Sequence, residues 1–136
     1  TWQSYEQDGD SWGIYAQVYD NAGNRVGNEF KVNSNTSNQQ YLPSITDLSS
    51  GGFVIVWAST NQDGSHDGVF GQRFNPDGSM IGGEFQVNTY TNSKQSFPSV
   101  AGLNDGKFVV SWVWWWWVGG AEGEFEYQKK YRRRGS

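Results

Sequence analysis

Residues 53–72 read Phe53-Val54-Ile55-Val56-Trp57-Ala58-Ser59-Thr60-Asn61-Gln62-Asp63-Gly64-Ser65-His66-Asp67-Gly68-Val69-Phe70-Gly71-Gln72. An apolar run ends at a tryptophan, a polar loop follows, and an alternating stretch then places Phe70, Gln72 and Phe74 on one face. The same order occurs once before and begins once again. Trp2, Trp57 and Trp112 are each 55 positions apart, and the register between the first two copies holds without a gap. Gln7-Asp8-Gly9 falls on Gln62-Asp63-Gly64, and Gly13, Gln17, Gly23 and Gly27 fall on Gly68, Gln72, Gly78 and Gly82. Further on, Glu29-Phe30 falls on Glu84-Phe85, Val32-Asn33 on Val87-Asn88, and Pro43-Ser44 on Pro98-Ser99. Leu48, Gly51 and Phe53-Val54 match Leu103, Gly106 and Phe108-Val109. Residues 1–112 therefore hold two tandem repeats, and 113–136 form a truncated, aberrant third with a basic tail.

Within a copy the apolar pattern has period two, and turn residues recur every eight to fifteen positions, so strands are expected and helices longer than a turn are not. Phe53 to Trp57 is apolar on both faces, as a strand buried between two layers must be. Gly68 to Phe74 is the next strand, matched by Tyr15, Gln17 and Tyr19 in the first copy. Asn75-Pro76-Asp77-Gly78-Ser79 and Asp20 to Asn24 are turns by composition, each leading into a third strand near 82–88 in the second copy. Pro98 to Leu103 supplies a fourth, closed onto Phe108 by Asn104-Asp105-Gly106.

Four short antiparallel strands per 55 residues predict an all-β chain of β-propeller-like blades, with a β-solenoid or a two-sheet sandwich as alternatives. A ring needs about four to eight blades, and this chain carries about two and a half, so completion by oligomerisation is expected, a homodimer being the simplest solution. An open stack of blades is the other arrangement.

The 136 residues carry 14 carboxylates against 10 basic side chains, and the difference, −4, is unevenly spread. Residues 1–120 hold five basic and eleven acidic side chains, whereas 121–136 hold five and three. The tail residues Lys129, Lys130, Arg132, Arg133 and Arg134 read as a solvated terminal run rather than a nucleic-acid site, since no nucleic-acid motif accompanies them. With no cysteine, a disulfide framework and a zinc-thiolate site are excluded. No apolar stretch is long enough for a transmembrane helix, and Thr1 to Glu6 has no signal-peptide character.

The repeat rule fails after Trp112, where Trp114-Trp115-Trp116-Trp117 replaces the polar loop. Tryptophan has the single codon TGG, so a shifted reading frame through a glycine-rich tract would encode such a run. One strand cannot bury four consecutive tryptophans in a monomer, because alternate side chains leave opposite faces. An oligomer interface is the plainer reading, an aromatic ligand platform or membrane contact the sharper one. Glu122 to Tyr131, with Phe125 in register, reads as one more edge strand.

The unit Pro-Ser-Ile/Val, Leu, Gly, Phe-Val-x-x-Trp, Gln-Asp-Gly, Gly-x-Phe/Tyr-x-Gln, Glu-Phe-x-Val-Asn resembles the tandem repeats of large secreted bacterial proteins, hemolysin-type calcium-binding proteins and adhesins among them. The resemblance covers residues 2–112. It implies an extracellular origin, propeller-type blades and calcium dependence, and no particular reaction.

Ligand-like spacing occurs once. Asp63, Ser65 and Asp67 stand two apart with Gly68 after them, a pattern of oxygen donors able to wrap a calcium ion. A plain Asx turn explains the same residues, and in the first copy Trp12 replaces the last donor. His66, the single histidine, sits between Ser65 and Asp67, so a calcium-assisted hydrolase of a small ester or lactone would centre on His66 and Asp67. No Gly-x-Ser-x-Gly, His-Glu-x-x-His or phosphate loop is present. The other expectation is a module that binds a glycan or small molecule, with Trp12 or Tyr15 stacking on a pyranose. The recurring Gln17/Gln72 and Glu29/Glu84 read as scaffold, bonding buried backbone groups between blades.

Overall fold

A computed structural model describes residues 1–115 and 132–134. The described chain is all-β, with antiparallel sheets and one three-residue 3-10 turn at Asn104–Gly106. The strands are β1 (Trp2–Tyr5), β2 (Trp12–Tyr19), β3 (Arg25–Lys31), β4 (Gln40–Asp47), β5 (Phe53–Thr60), β6 (Asp67–Phe74), β7 (Met80–Gln86), β8 (Lys94–Gly102), β9 (Phe108–Trp115) and β10 (Arg132–Arg134). They form three sheets in the orders β1-β2-β3, β4-β5-β6-β7 and β10-β9-β8. No closed barrel or ring forms among the described residues, and no helix there is long and apolar enough to cross a membrane.

Strand β5 organises the stack because its side chains alternate between two cores. Val54 and Val56 join Leu48, Val69 and Val87 against Val100, Phe108, Val110 and Trp112 of the third sheet. Ile55 and Trp57 join Phe70 and Phe74 against Ile14, Ala16 and Val32 of the first. The middle sheet is thus covered on both faces, which is why β5 reads apolar at nearly every position. The two interfaces are copies of each other. Trp57 packs on the sheet holding Ile14 and Val32, and Trp112 packs on the sheet holding Val69 and Val87, residues exactly one repeat further on.

Pairing also repeats. Trp2 stands opposite Tyr15 as Trp57 stands opposite Phe70. The strand after each of these two, β3 and β7, pairs through a register shift, between Ala16 and Val18 and between Gly71 and Arg73. An extra residue in a ladder leaves carbonyls unmatched. Gln17 and Gln72 supply the missing donors: Nε2 of Gln72 donates to the carbonyls of Arg73 at 3.0 Å, Ile81 at 3.2 Å and Gly82 at 3.1 Å. Gln17 does the same toward Val18, Val26 and Gly27. These glutamines are scaffold, but they act within one sheet rather than between sheets.

The fourth strand starts earlier than its sequence suggests. Lys94, not Pro98, opens β8, and a bulge carries the strand past the proline. Leu42 and Phe97, each just before a proline, adopt a left-handed φ of 54° at the matching shifts in β4 and β8. Proline has no N–H to offer a ladder, so it sits where the ladder is already interrupted, on an edge strand.

The expected strand within Glu122–Tyr131 lies outside the described residues. The strand that pairs with Phe108–Val110 is Arg132–Arg134, with Phe108 opposite Arg134. In the second repeat Phe53 stands opposite Phe74, so strict 55-residue spacing would place position 129 there. Part of the basic run, expected as a solvated terminus, therefore has strand backbone five positions late.

Replacing the fully buried Trp57 by alanine removes the centre of one inter-sheet core and is expected to cost about 3–5 kcal/mol. Trp2→Ala, at the equivalent but 37% exposed position, is expected to cost far less. Urea denaturation of both variants checks the ordering, and equal losses would contradict the inter-sheet role of Trp57.

Candidate functional site

Two loops lie at equivalent addresses, Glu6–Ser11 joining β1 to β2 and Asn61–His66 joining β5 to β6. Their backbones are near-copies. Glu6 and Asn61 have φ of 57° and 58°, and Gly9 and Gly64 have φ of 93° and 90°. In each loop the first amide donates to the carbonyl of the last residue, Ser11 or His66, and the glycine amide donates back to the first residue. A left-handed bend at Gly9 or Gly64 explains the recurring Gln-Asp-Gly, since glycine adopts that φ without steric cost.

The aspartate of Gln-Asp-Gly belongs to a buried polar node. Asn88 Oδ1 accepts from the amide of Val69 at 2.8 Å, while its Nδ2 donates to Asp63 Oδ2 at 3.1 Å, Gln95 Oε1 at 3.1 Å and the Tyr90 carbonyl at 3.0 Å. In the first repeat Asn33 makes the same set with Ile14, Asp8, Gln40 and Asn35. Gln40 and Gln95 lie on the first strand of the following sheet, so each node ties a loop to the next sheet. The glutamines beside these aspartates, Gln7 and Gln62, donate to Glu29 and Glu84. Glu84 also accepts from the Ser34 amide at 2.8 Å.

The proposed cation ligands divide between two settings. Asp63 accepts from Asn88 through Oδ2, and its Oδ1 takes the Ser65 amide at 3.2 Å in an Asx turn. Asp67, nearly fully buried, turns the other way. It accepts from Tyr41 Oη at 2.5 Å, Thr60 Oγ1 at 2.8 Å and Lys94 Nζ at 3.0 Å. Among the described residues no three His, Cys, Asp or Glu side chains gather as a metal group. His66 is exposed and its imidazole has no hydrogen bond among the described residues, so it is not joined to the Ser65 hydroxyl or the Asp67 carboxylate.

The Asp67 cluster links β4, β5, β6 and β8, and thereby the second and third sheets. Burial pushes the Asp67 carboxyl up, but the donors Tyr41, Thr60 and Lys94 outweigh it and hold it below the usual carboxylate range. The Asp67 hydrogen bond raises Lys94 against its own desolvation. Burial, then the Asp67 hydrogen bond, raises Tyr41. A protonated lysine, a neutral tyrosine and an ionised aspartate at neutral pH make a clamp, since neither Lys94 nor Tyr41 is poised to accept a proton.

In the first repeat, the address of Thr60 and Asp67 belongs to Tyr5 and Trp12, which face each other across β1 and β2. Their ring centroids are 5.1 Å apart at 58°. Tyr5 is 58% exposed and Trp12 half-buried. Beside them opens a cleft of about 440 Å³ lined by Tyr5, Glu6, Gly9, Asp10 and Ser11. Asp10 is exposed, held by the amides of Ser11 and Asn38, both at 2.9 Å, and these bonds lower its carboxyl below the ordinary range. Tyr15, the other expected stacking residue, is buried at 6% exposure, so its ring has no face open to a sugar. Tyr5 is the residue that sequence reasoning missed. Its seven-residue spacing from Trp12 across a Gly-containing loop is the signal that could have found it.

No protein-family model, curated protein or solved structure matches the chain.

The Asp67 clamp sets a pH dependence. An aspartate with a lowered folded value adds stability above its unfolded value of about 3.9, and that stability disappears as pH falls through the folded value. Lysine runs the other way: the contribution of Lys94 is complete below its unfolded value and lost as pH rises through the raised folded one. Asp67→Ala should cost about 1–3 kcal/mol at pH 7 and flatten the acid side of the stability curve. Thermal melts from pH 2 to 7 test this, and an unchanged acid limb in the variant would count against the clamp.

Proposed function

We propose that the chain is a non-catalytic repeat module of β-propeller-type blades that binds a carbohydrate at the loop end of its first sheet and assembles with itself. The pair of exposed Tyr5 and half-buried Trp12 beside Asp10 carries the binding reading. Aromatic faces suit the apolar C–H face of a pyranose, and a carboxylate accepts from its hydroxyls. Asp10 is fixed by two backbone amides that leave lone pairs for a ligand. A cross-strand pair on a rigid hairpin keeps both rings placed before a sugar arrives, which lowers the entropy cost of binding.

Support for the blade reading comes from the repeated interface, in which successive sheets stack face to face with the same residues in contact. Support against a scaffold-only role comes from the replacement of the Thr60–Asp67 bond by two aromatic rings at an otherwise copied loop. A second ligand type, calcium, has no comparable geometric support, because Asp63 and Asp67 are occupied by separate protein donors.

On a glycan array the protein is expected to retain a defined set of sugars. Trp12→Ala should weaken the strongest of them about tenfold or more, equivalent to about 1.4 kcal/mol, and His66→Ala should leave binding unchanged. Sugar binding that survives Trp12→Ala and Tyr5→Ala together would refute this site.

A further inference from the structure

The first sheet presents an outer face made of the same positions that are buried in the second. Trp2, Tyr15 and Tyr19 match Trp57, Phe70 and Phe74 one repeat later. Trp57 and Phe74 are fully buried and Phe70 nearly so, all in the core against the preceding sheet. On the first sheet Trp2 is 37% and Tyr19 55% exposed, whereas Tyr15 is as buried as Phe70, so Trp2 and Tyr19 are the open part of this face.

The opposite half of the same joint stands on the third sheet. On β9, Phe108, Val110 and Trp112 point toward the second sheet, so Val109, Ser111 and Val113 point away from it. Val109 and Ser111 occupy the addresses of Val54 and Val56, which in the second sheet receive the face carrying Trp112. All three are half-buried.

We infer that a second copy of this chain seats its Trp2–Tyr19 face on the Val109–Ser111–Val113 face of the first, forming a third inter-sheet joint. The inference rests on the self-assembly part of the function proposed above and names its surface. Two joints of this kind already exist inside one chain, built from the same repeat positions, so the complementary shapes are those of an interface the protein makes twice. Contact is head to tail: the two surfaces are different patches. Such an interface is heterologous, closing into a ring or continuing as a stack, and it cannot be a two-fold pairing of one patch with itself. The hydroxyl that Tyr19 adds at the Phe74 position lets this exposed residue meet water in the free chain.

Sedimentation of the full chain at several concentrations, with two face variants, tests the inference. Trp2→Lys with Tyr19→Lys blocks the first face, and Val113→Lys blocks the third-sheet face. The wild type should assemble, each variant alone should lose assembly and sediment as a monomer, and an equimolar mixture should give a dimer and nothing larger. A wild type that stays monomeric overturns both the inference and the self-assembly reading, whereas glycan binding at Tyr5 and Trp12 is judged separately. If the Val113 variant stays assembled while the Trp2/Tyr19 variant dissociates, self-assembly stands but the head-to-tail joint falls. Near-UV spectra check that each variant keeps its fold, and Tyr19→Ser and Val113→Ser carry the comparison should a lysine disturb it.

Discussion

A strand with no solvent-facing side must be covered twice, and β5 imposes that condition on everything around it. Val54 and Val56 leave one face of the middle sheet, Ile55 and Trp57 the other, and both sets are fully buried. Each apolar side chain of this size adds roughly 1.5–3 kcal/mol when withdrawn from water, so neither neighbouring sheet is dispensable. The strand does not choose its partners by hydrophobicity alone. Trp57 fills a space whose walls, Ile14, Ala16 and Val32, are small or branched, and Gly71 makes equivalent room in the next interface. A Cβ added there would lie 2.7 Å from the Phe85 ring. Size alternation across the joint therefore sets which face meets which.

Hydrophobic stacking alone would allow sheets to slide, and the polar nodes oppose this. Asn33 and Asn88 each hold an amide of their own sheet, an aspartate of a hairpin loop and a glutamine of the next sheet. These asparagines are buried, so a shift that broke one bond would strand polar atoms away from water at a cost of about 1–3 kcal/mol. Register between neighbouring sheets is thus specified by a few directional bonds set into a non-directional core.

Much of this was legible because the repeat displays every structural position twice. Strand positions, the turns at Asp20–Asn24 and Asn75–Ser79, and the doubly buried β5 follow from apolar period and turn chemistry. The bulges at Leu42 and Phe97 were not, because a left-handed leucine or phenylalanine runs against its own preference and comes with the register shift against the facing strand. Gln40 and Gln95 could have been read, since they match at the same 55-residue offset. Tyr41 and Lys94 could not, for their counterparts are Ser96 and Gln39, and no recurrence marks them. Their meeting at Asp67 is a product of the fold, bringing together strands that lie far apart in sequence. The spacing of Asp63, Ser65 and Asp67 misled for a related reason: at the start of a strand, alternate residues share a face, but Asp63 is still in the loop and bends toward Asn88.

The contrast between the two hairpins then bears on function more than either hairpin alone. Where two copies share backbone angles and the asparagine node, a difference in side chains stands on nearly the same frame. At one address stand Thr60 and Asp67, bonded to each other and to Tyr41 and Lys94 from two further strands; at its counterpart stand two aromatic rings with solvent on one side. The polar version joins sheets and is turned inward. The aromatic version pairs two rings across one hairpin, and Tyr5 leaves more than half its surface in water. What the aromatic pair gains over the clamp is an accessible face of fixed orientation, the feature on which the proposed binding rests.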